Sequence, residues 1–233
     1  MANSGSGQRK AVVIGGSVAG LFAGNMLMRR GWQVDIFERV TETLASRGAG
    51  IAWHDEVQAV MAAVGATDDS APGIAHDGRY GYDEHGNEIA FYRYPQYMAS
   101  WARAFDPLRA AFPDANYHQG AELVGIARDD RRPVARFADG PQIEADLIVG
   151  ADGFRSTVRA LMAPQTELRY AGYVGWRGLI EEAELSETFR AEMFEKFILC
   201  FAPCSQFIGY PVPGHGLARR PDRWPGSSTP TAR

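Results

Sequence analysis

The sequence predicts an α/β fold: a parallel sheet with packed helices, followed by a second β-rich layer of different character. Three observations predict it. A short apolar run at residues 10–14 leads through a glycine-rich turn and a helical repeat into another apolar strand, which is one βαβ unit. A further strand of this buried type returns at residues 146–149, more than a hundred residues later. Elsewhere lie segments rich in Tyr and Phe with near period-two alternation, the pattern of antiparallel strands.

Each element has its own signal. Residues 10–14 carry the β-branched run AVVI and stop at Gly15-Gly16, as a strand buried on both faces does. Residues 18–30 repeat apolar side chains at helical spacing and end at Gly31, which suits a left-handed cap. Residues 33–39 (QVDIFER) read as the next strand. An extended piece from Gly48 leads into a helix whose Val57, Val60, Met61 and Val64 share one face. Residues 78–94 read as a hairpin around His85-Gly86-Asn87. The next helix has two readings. It starts with Asp106 as N-cap and Pro107 in its first turn, or it starts near Ser100 and Pro107 interrupts it.

Residues 121–128, 133–137 and 142–144 form a three-stranded antiparallel meander, turning at Asp129-Asp130 and Asp139-Gly140. The strand at 146–149 then returns to the first sheet and is followed by a helix to about Met162. Residues 169–180, 196–202 and 206–212 are strand-like, with an acidic amphipathic helix over 184–195, and make a second, mixed sheet. This assigns residues 1–77 and 97–165 to one discontinuous domain, 78–96 and 166–214 to the second sheet, and 215–233 to an irregular tail rich in Arg and Pro.

Composition bounds the function. The chain has 233 residues, 45% hydrophobic and 22% charged, which excludes disordered, collagen-like and disulfide-stapled architectures. Its 28 acidic against 24 basic residues give no positive field for nucleic acid or an anionic membrane. No apolar run approaches the ~20 residues of a membrane span, and residues 1–10 lack a signal-peptide core, so a cytoplasmic location is expected. Cys200 and Cys204 have no second ligand pair, so no metal is expected.

The strongest constellation is Gly15-Gly16-Ser17-x-x-Gly20, between strand and helix, with Glu38 closing the next strand. Gly15 permits the tight turn, a small residue at 17 admits a pyrophosphate to the backbone, and Gly20 lets the helix pack on the strand. Free N–H groups at the helix start hold phosphates, and an acid placed like Glu38 accepts ribose hydroxyls. Its charge disfavours a 2′-phosphate, so the ligand is FAD or NAD rather than NADP.

The second constellation is DLIVGADGFRSTVR, from Asp146 to Arg159. With the glycine turn and RGAGI at 47–51, it resembles the single-component, group A flavin-dependent aromatic-ring monooxygenases. YAGYVGWRGL at 170–179 and IGYPVPG at 208–214 look like the branch that includes 2,6-dihydroxypyridine hydroxylase. The resemblance implies a Rossmann-like FAD-binding domain with the meander, plus a substrate-domain sheet. Gly15, Gly16, Ser17, Gly20 and Glu38 would hold the ADP half of FAD, with Arg39 and Arg47 near adenine and pyrophosphate. Gly48 and Gly50 would let the chain pass close to the flavin, and Arg103 takes the position of a flavin-contacting arginine. Asp152 and Gly153 would complete the pyrophosphate contact, while Arg159 would support that turn or serve the nicotinamide cofactor. His54 stands where relatives carry glutamine near the flavin ring; capping the helix at Asp55 is an equal reading. Arg177 and Tyr210 are nominated to face substrate.

By that resemblance the chain is an FAD-dependent monooxygenase hydroxylating an electron-rich aromatic or hydroxypyridine-type ring with NAD(P)H and O2. The protein would supply position, water exclusion and a group that deprotonates the ring hydroxyl. The family's third flavin motif, a Gly-Asp at a long helix, does not follow Gly214, and the tail reads like a GC-rich frame out of register. The expectation is therefore a chain ended early, its second sheet incomplete and its turnover impaired. Exposed strand edges would then favour a homo-oligomer. Two further readings stand beside this one: another FAD- or NAD-dependent oxidoreductase, and a non-catalytic FAD-binding remnant.

Overall fold

The computed structural model describes residues 8–42, 50–67, 73–128, 132–140, 142–194 and 196–213. In chain order the strands are β1 (Lys10–Ile14), β2 (Gln33–Glu38), β3 (Gly50–Trp53), β4 (Ile74–Tyr82), β5 (Glu88–Ser100), β6 (Tyr117–Gln119), β7 (Leu123–Arg128), β8 (Pro133–Phe137), β9 (Ile143–Glu144), β10 (Leu147–Gly150), β11 (Phe197–Ala202) and β12 (Ser205–Gly209). The helices are α1 (Val18–Arg29), α2 (Asp55–Val64), α3 (Trp101–Ala111), α4 (Thr157–Met162) and α5 (Glu187–Met193). The chain divides into two compact units. The first comprises Met1–Ser46, Ala59–Thr67 and Ala104–Val174, and the second Arg47–Gln58, Asp68–Arg103 and Gly175–Arg233.

The first unit is built on a parallel sheet in the order β10-β1-β2-β6. Strand β1 sits between two neighbours, which is why Ala11, Val12 and Val13 are fully buried. Helix α1 packs closely on this sheet because Gly24 leaves no side chain between it and Ile36. Asn25, buried in the same helix, donates to the carbonyls of Leu21 and Leu108, so its amide is satisfied inside an apolar wall. The meander β7-β8-β9 forms its own antiparallel sheet. Its Leu123, Ala135 and Phe137 join Val12, Ile14 and Phe37 in one apolar cluster.

The second unit is a mixed sheet in the order β12-β11-β4-β5-β3, in which only the β11-β4 pair is parallel. The hairpin turn between β4 and β5 is tied by Asp83, which accepts from the N–H groups of His85 and Asn87 and from the Asn87 amide. Those bonds hold the Asp83 carboxyl below the usual carboxylate range.

Several expectations change. Strand β5 runs on to Ser100, well past Tyr94, because residues 97–100 pair with β3. Helix α3 accordingly begins at Trp101 with Pro107 inside it, which is the second of the two readings, and Asp106 is not an N-cap. Residues 169–180 form no strand. Gly172 holds a φ of +92°, outside the extended range of a regular strand, and Gly175 and Gly178 follow within the same stretch. The acidic helix is shorter than 184–195. Ser186 caps it by accepting from the Phe189 N–H, and Phe194 is already extended. None of its residues is buried. The second unit also takes in Gly50–Trp53 and Ile74–Tyr82, which places its boundaries earlier than 78–96. The Asp129-Asp130 turn and the tail from 215 lie outside the described residues.

Candidate functional site

The two glycine motifs meet in the first unit. Gly15 has φ +106°, and a Cβ there would overlap the carbonyl of Ala151. Its N–H donates to Phe37 O at 2.8 Å, while Ala151 N–H donates to Ile14 O at 2.7 Å, so the turns after β1 and β10 are bound into one surface. A Cβ on Gly20 would overlap Gly15 O, which explains why helix α1 can start directly against its own turn. Ser17 occupies the N-cap of α1 with an extended backbone, and its side chain makes no capping bond. The first N–H groups of α1 therefore point outward without intrahelical partners, beside the positive end of the helix dipole.

Glu38 closes β2 and is only 7% exposed. One carboxylate oxygen accepts from Gly16 N–H at 2.8 Å and the other from Val40 N–H at 3.0 Å. Each oxygen keeps a lone pair for a further donor, so the carboxylate can hold the turn and take a ribose hydroxyl together. Arg39 follows it on the surface.

Asp152 faces inward along its own motif. Its carboxylate accepts from Ser156 Oγ at 2.6 Å and from Val158 N–H at 3.1 Å, while Ser156 accepts from Arg159 N–H and so caps α4. Arg159 donates to the Phe154 carbonyl at 2.6 Å and thereby braces the same turn. Gly153, at φ +78°, makes the reversal that lets these bonds close.

The remaining candidates belong to the second unit. Gly50 opens β3, and a Cβ there would overlap the ring of Tyr210, which itself stacks on Phe197 with centroids 5.2 Å apart. His54 is exposed just before α2, and its carbonyl accepts from Gln58 N–H as the first bond of that helix. Arg103 is half-buried in the first turn of α3. Arg177 lies on the exposed 169–180 segment. Arg47 and Gly48 lie outside the described residues.

Sequence reasoning missed two features. Tyr117, on β6, donates its hydroxyl to Gly16 O at 2.8 Å and is a direct neighbour of the glycine turn. In the second unit His76 and Gln96 are each 4% exposed and pair across β4 and β5, yet both His76 ring nitrogens and Gln96 Oε1 have no hydrogen-bond partner. Burial pushes the His76 imidazole below its ordinary value, with Asp77 opposing that and Arg79 adding to it. An open cleft of about 540 Å³ beside α5, lined by Tyr82, Phe189, Glu192 and Lys196, contains none of the candidates. Among the described residues no cluster could hold a metal, and no helix is long and apolar enough to cross a membrane.

A strand, a positive-φ glycine, a bare helix N-terminus and a buried acid at the next strand end define a dinucleotide-binding protein. The FAD binding domain family matches residues 8–212, and the chain belongs to that family. It is similar to the 2,6-dihydroxypyridine 3-monooxygenase of Paenarthrobacter nicotinovorans, 31% identical across 91% of this chain and 53% of the relative. Among solved structures it resembles 2,6-dihydroxypyridine-3-hydroxylase from Arthrobacter nicotinovorans, with a TM-score of 0.82, 30% identity, and 89% and 53% of the two chains covered. It also resembles a single-residue variant of Klebsiella pneumoniae HpxO complexed with FAD, with a TM-score of 0.73 and 25% identity over 88% and 54%. The chain thus spans about half the length of the relatives it matches.

Proposed function

We propose that this chain serves an FAD-dependent monooxygenase that hydroxylates an electron-rich hydroxypyridine or related aromatic ring, using NAD(P)H and O2. The observation that carries the reading is the joining of Gly15 to Ala151 beside Glu38, one surface made from both flavin-type motifs. The donor set fits the ADP half of FAD: a carboxylate with free lone pairs for ribose, and unpartnered helix N–H groups for pyrophosphate. Ser17 and Gly16 present no bulk at the turn. Asp152 and Gly153 would complete the pyrophosphate contact, with Arg159 bracing their turn, and Arg39 and Arg47 would stand near adenine and pyrophosphate. Gly50 and Arg103 would serve the flavin ring, with Gly48 preceding β3.

Bound FAD would supply electron transfer from NAD(P)H and delivery of oxygen to the ring. The chain's own part is to bind, to exclude water and to orient the ring hydroxyl. Tyr210, fixed by its stack on Phe197, is assigned to the ring, with Arg177 and His54 as the charged and titratable partners. A reaction drawing on NAD(P)H accords with the cytoplasmic location expected from the sequence. Homo-oligomer formation belongs to the same reading, supported by the many exposed aromatic and aliphatic side chains.

Titrating the purified chain with FAD, followed by flavin absorbance, tests the binding. Adding 2,6-dihydroxypyridine then tests the reaction. The expected result is a saturable flavin spectrum and NADH consumption that rises with the ring compound. Saturable binding without any such rise, with 2,6-dihydroxypyridine and with a panel of other hydroxypyridines and phenols, would leave a flavin-binding protein and remove the monooxygenase assignment.

A further inference from the structure

Two peptide units flank Gly16, and a side chain fixes each. The unit before it offers its N–H to Glu38 Oε2 at 2.8 Å. The unit after it offers its C=O to the Tyr117 hydroxyl, also at 2.8 Å, from a residue 101 positions along the chain. In a trans peptide the C=O and the following N–H point in opposite directions. Holding Gly16 O against Tyr117 therefore turns the Ser17 N–H away from that ring, at the residue that caps α1. The start of α1 is where the preceding reading puts the pyrophosphate of FAD.

The phenol is itself held. Tyr117 is 9% exposed, and the Arg109 guanidinium lies 4.2 Å from its ring centroid. Arg109 in turn donates to the Phe112 carbonyl at 3.1 Å and to Asp114 at 2.6 Å. A Cβ on Gly16 would overlap the Tyr117 hydroxyl, so the phenol fills the place that any side chain at position 16 would need.

We propose that Tyr117 is a positioning residue for the cofactor: its hydroxyl sets the plane of the Gly16–Ser17 peptide so that the Ser17 N–H meets the FAD pyrophosphate. The assignment rests on the FAD reading above. Burial, with the Glu38 charge adding to it, pushes the Tyr117 phenol up to about 12, so it stays a donor throughout the physiological range.

The test is Tyr117→Phe in the full chain, which removes the donor and keeps the ring over Arg109. Three measurements are made: FAD affinity by flavin titration, the urea unfolding midpoint, and the 31P resonances of bound FAD, which report contacts to the pyrophosphate. The expected result is an FAD dissociation constant raised about five- to tenfold, the size of one hydrogen bond, with shifted 31P lines and cooperative unfolding kept. Replacing Tyr117 with p-aminophenylalanine, which returns an N–H donor to the same place, should restore both affinity and spectrum.

Unchanged affinity and 31P lines in Tyr117→Phe would overturn the proposal while leaving the FAD reading intact. Loss of cooperative unfolding in Tyr117→Phe, or failure of the p-aminophenylalanine protein to recover, would make the hydroxyl a general requirement of the fold and also overturn it. Failure of the unaltered chain to bind FAD would overturn both readings together.

Discussion

Single residues carry much of what each unit does, and three of them give clear expectations. Gly15→Ala puts a methyl at φ +106° and against the Ala151 carbonyl. The backbone strain alone is worth about 1–2 kcal/mol, and the overlap adds to it, so urea unfolding should show a loss above about 2 kcal/mol. Glu38→Gln keeps one acceptor for two backbone donors and should cost about 1.5–3 kcal/mol in the same measurement, because charge-assisted bonds are lost at a buried site. His76 gives a pH signature. Its folded-state value lies below the unfolded 6.5, so folding favours the neutral ring. Its contribution is complete above about pH 6.5 and is lost as the pH falls toward the folded value. Denaturant midpoints measured between about pH 7.5 and about pH 5.5 should fall, and His76→Phe should flatten that part of the slope. Gly15 and Glu38 are legible in the sequence because their spacing is local to one βαβ unit. Tyr117 and His76 are not, since a lone Tyr or His on a strand looks the same in sequence whether its polar atoms meet solvent, a carbonyl or nothing.

At the level of elements, caps and partners decide what forms. Helix α4 is only six residues long, too short to be stable from propensity, and it depends on Ser156 and Asp152 at its start. Ser156→Ala should therefore cost about 1 kcal/mol in thermal or urea unfolding, with the larger share of the change near residues 152–162 in hydrogen exchange. Short apolar runs bounded by glycine are legible at β1 and β10, because burial on both faces leaves a distinctive continuous pattern. The same pattern-reading fails at 169–180. An aromatic-rich stretch with alternation resembles a strand, but glycines at 172, 175 and 178 and the positive φ at Gly172 remove it from any ladder. Helix α3 shows the opposite case: Pro107 has the look of a start signal yet is tolerated inside, since the true start is fixed by where β5 stops pairing with β3.

Across the whole molecule, the uneven distribution of buried surface is the main feature. Unit one gathers fully buried Val12, Val13, Leu21, Val34 and Ile36, while the 169–180 segment exposes Tyr170, Tyr173 and Leu179, and Trp176 to 94%. Chymotrypsin at low concentration should cut first within residues 170–179, and mass spectrometry of the early fragments checks this. First cleavage inside β1, β2 or α1 would contradict it. The family match runs over residues 8–212 and so takes in both units, while motif and periodicity agree best in the first, which holds the meander.

Strand order also has a consequence for biosynthesis. Strand β1 is synthesised more than a hundred residues before β10, its neighbour on one side, whose partner positions run to Gly150. Strand β4 likewise pairs on one side with β11, more than a hundred residues downstream. Both sheets therefore hold a strand with an open edge until a segment more than a hundred residues downstream has been made, and each closes only through contacts of very long sequence separation. Such topologies fold slowly, and their unfinished edges invite pairing with other nascent chains. Yield in a cell should respond strongly to chaperone supply and to growth temperature, even where the finished protein is stable.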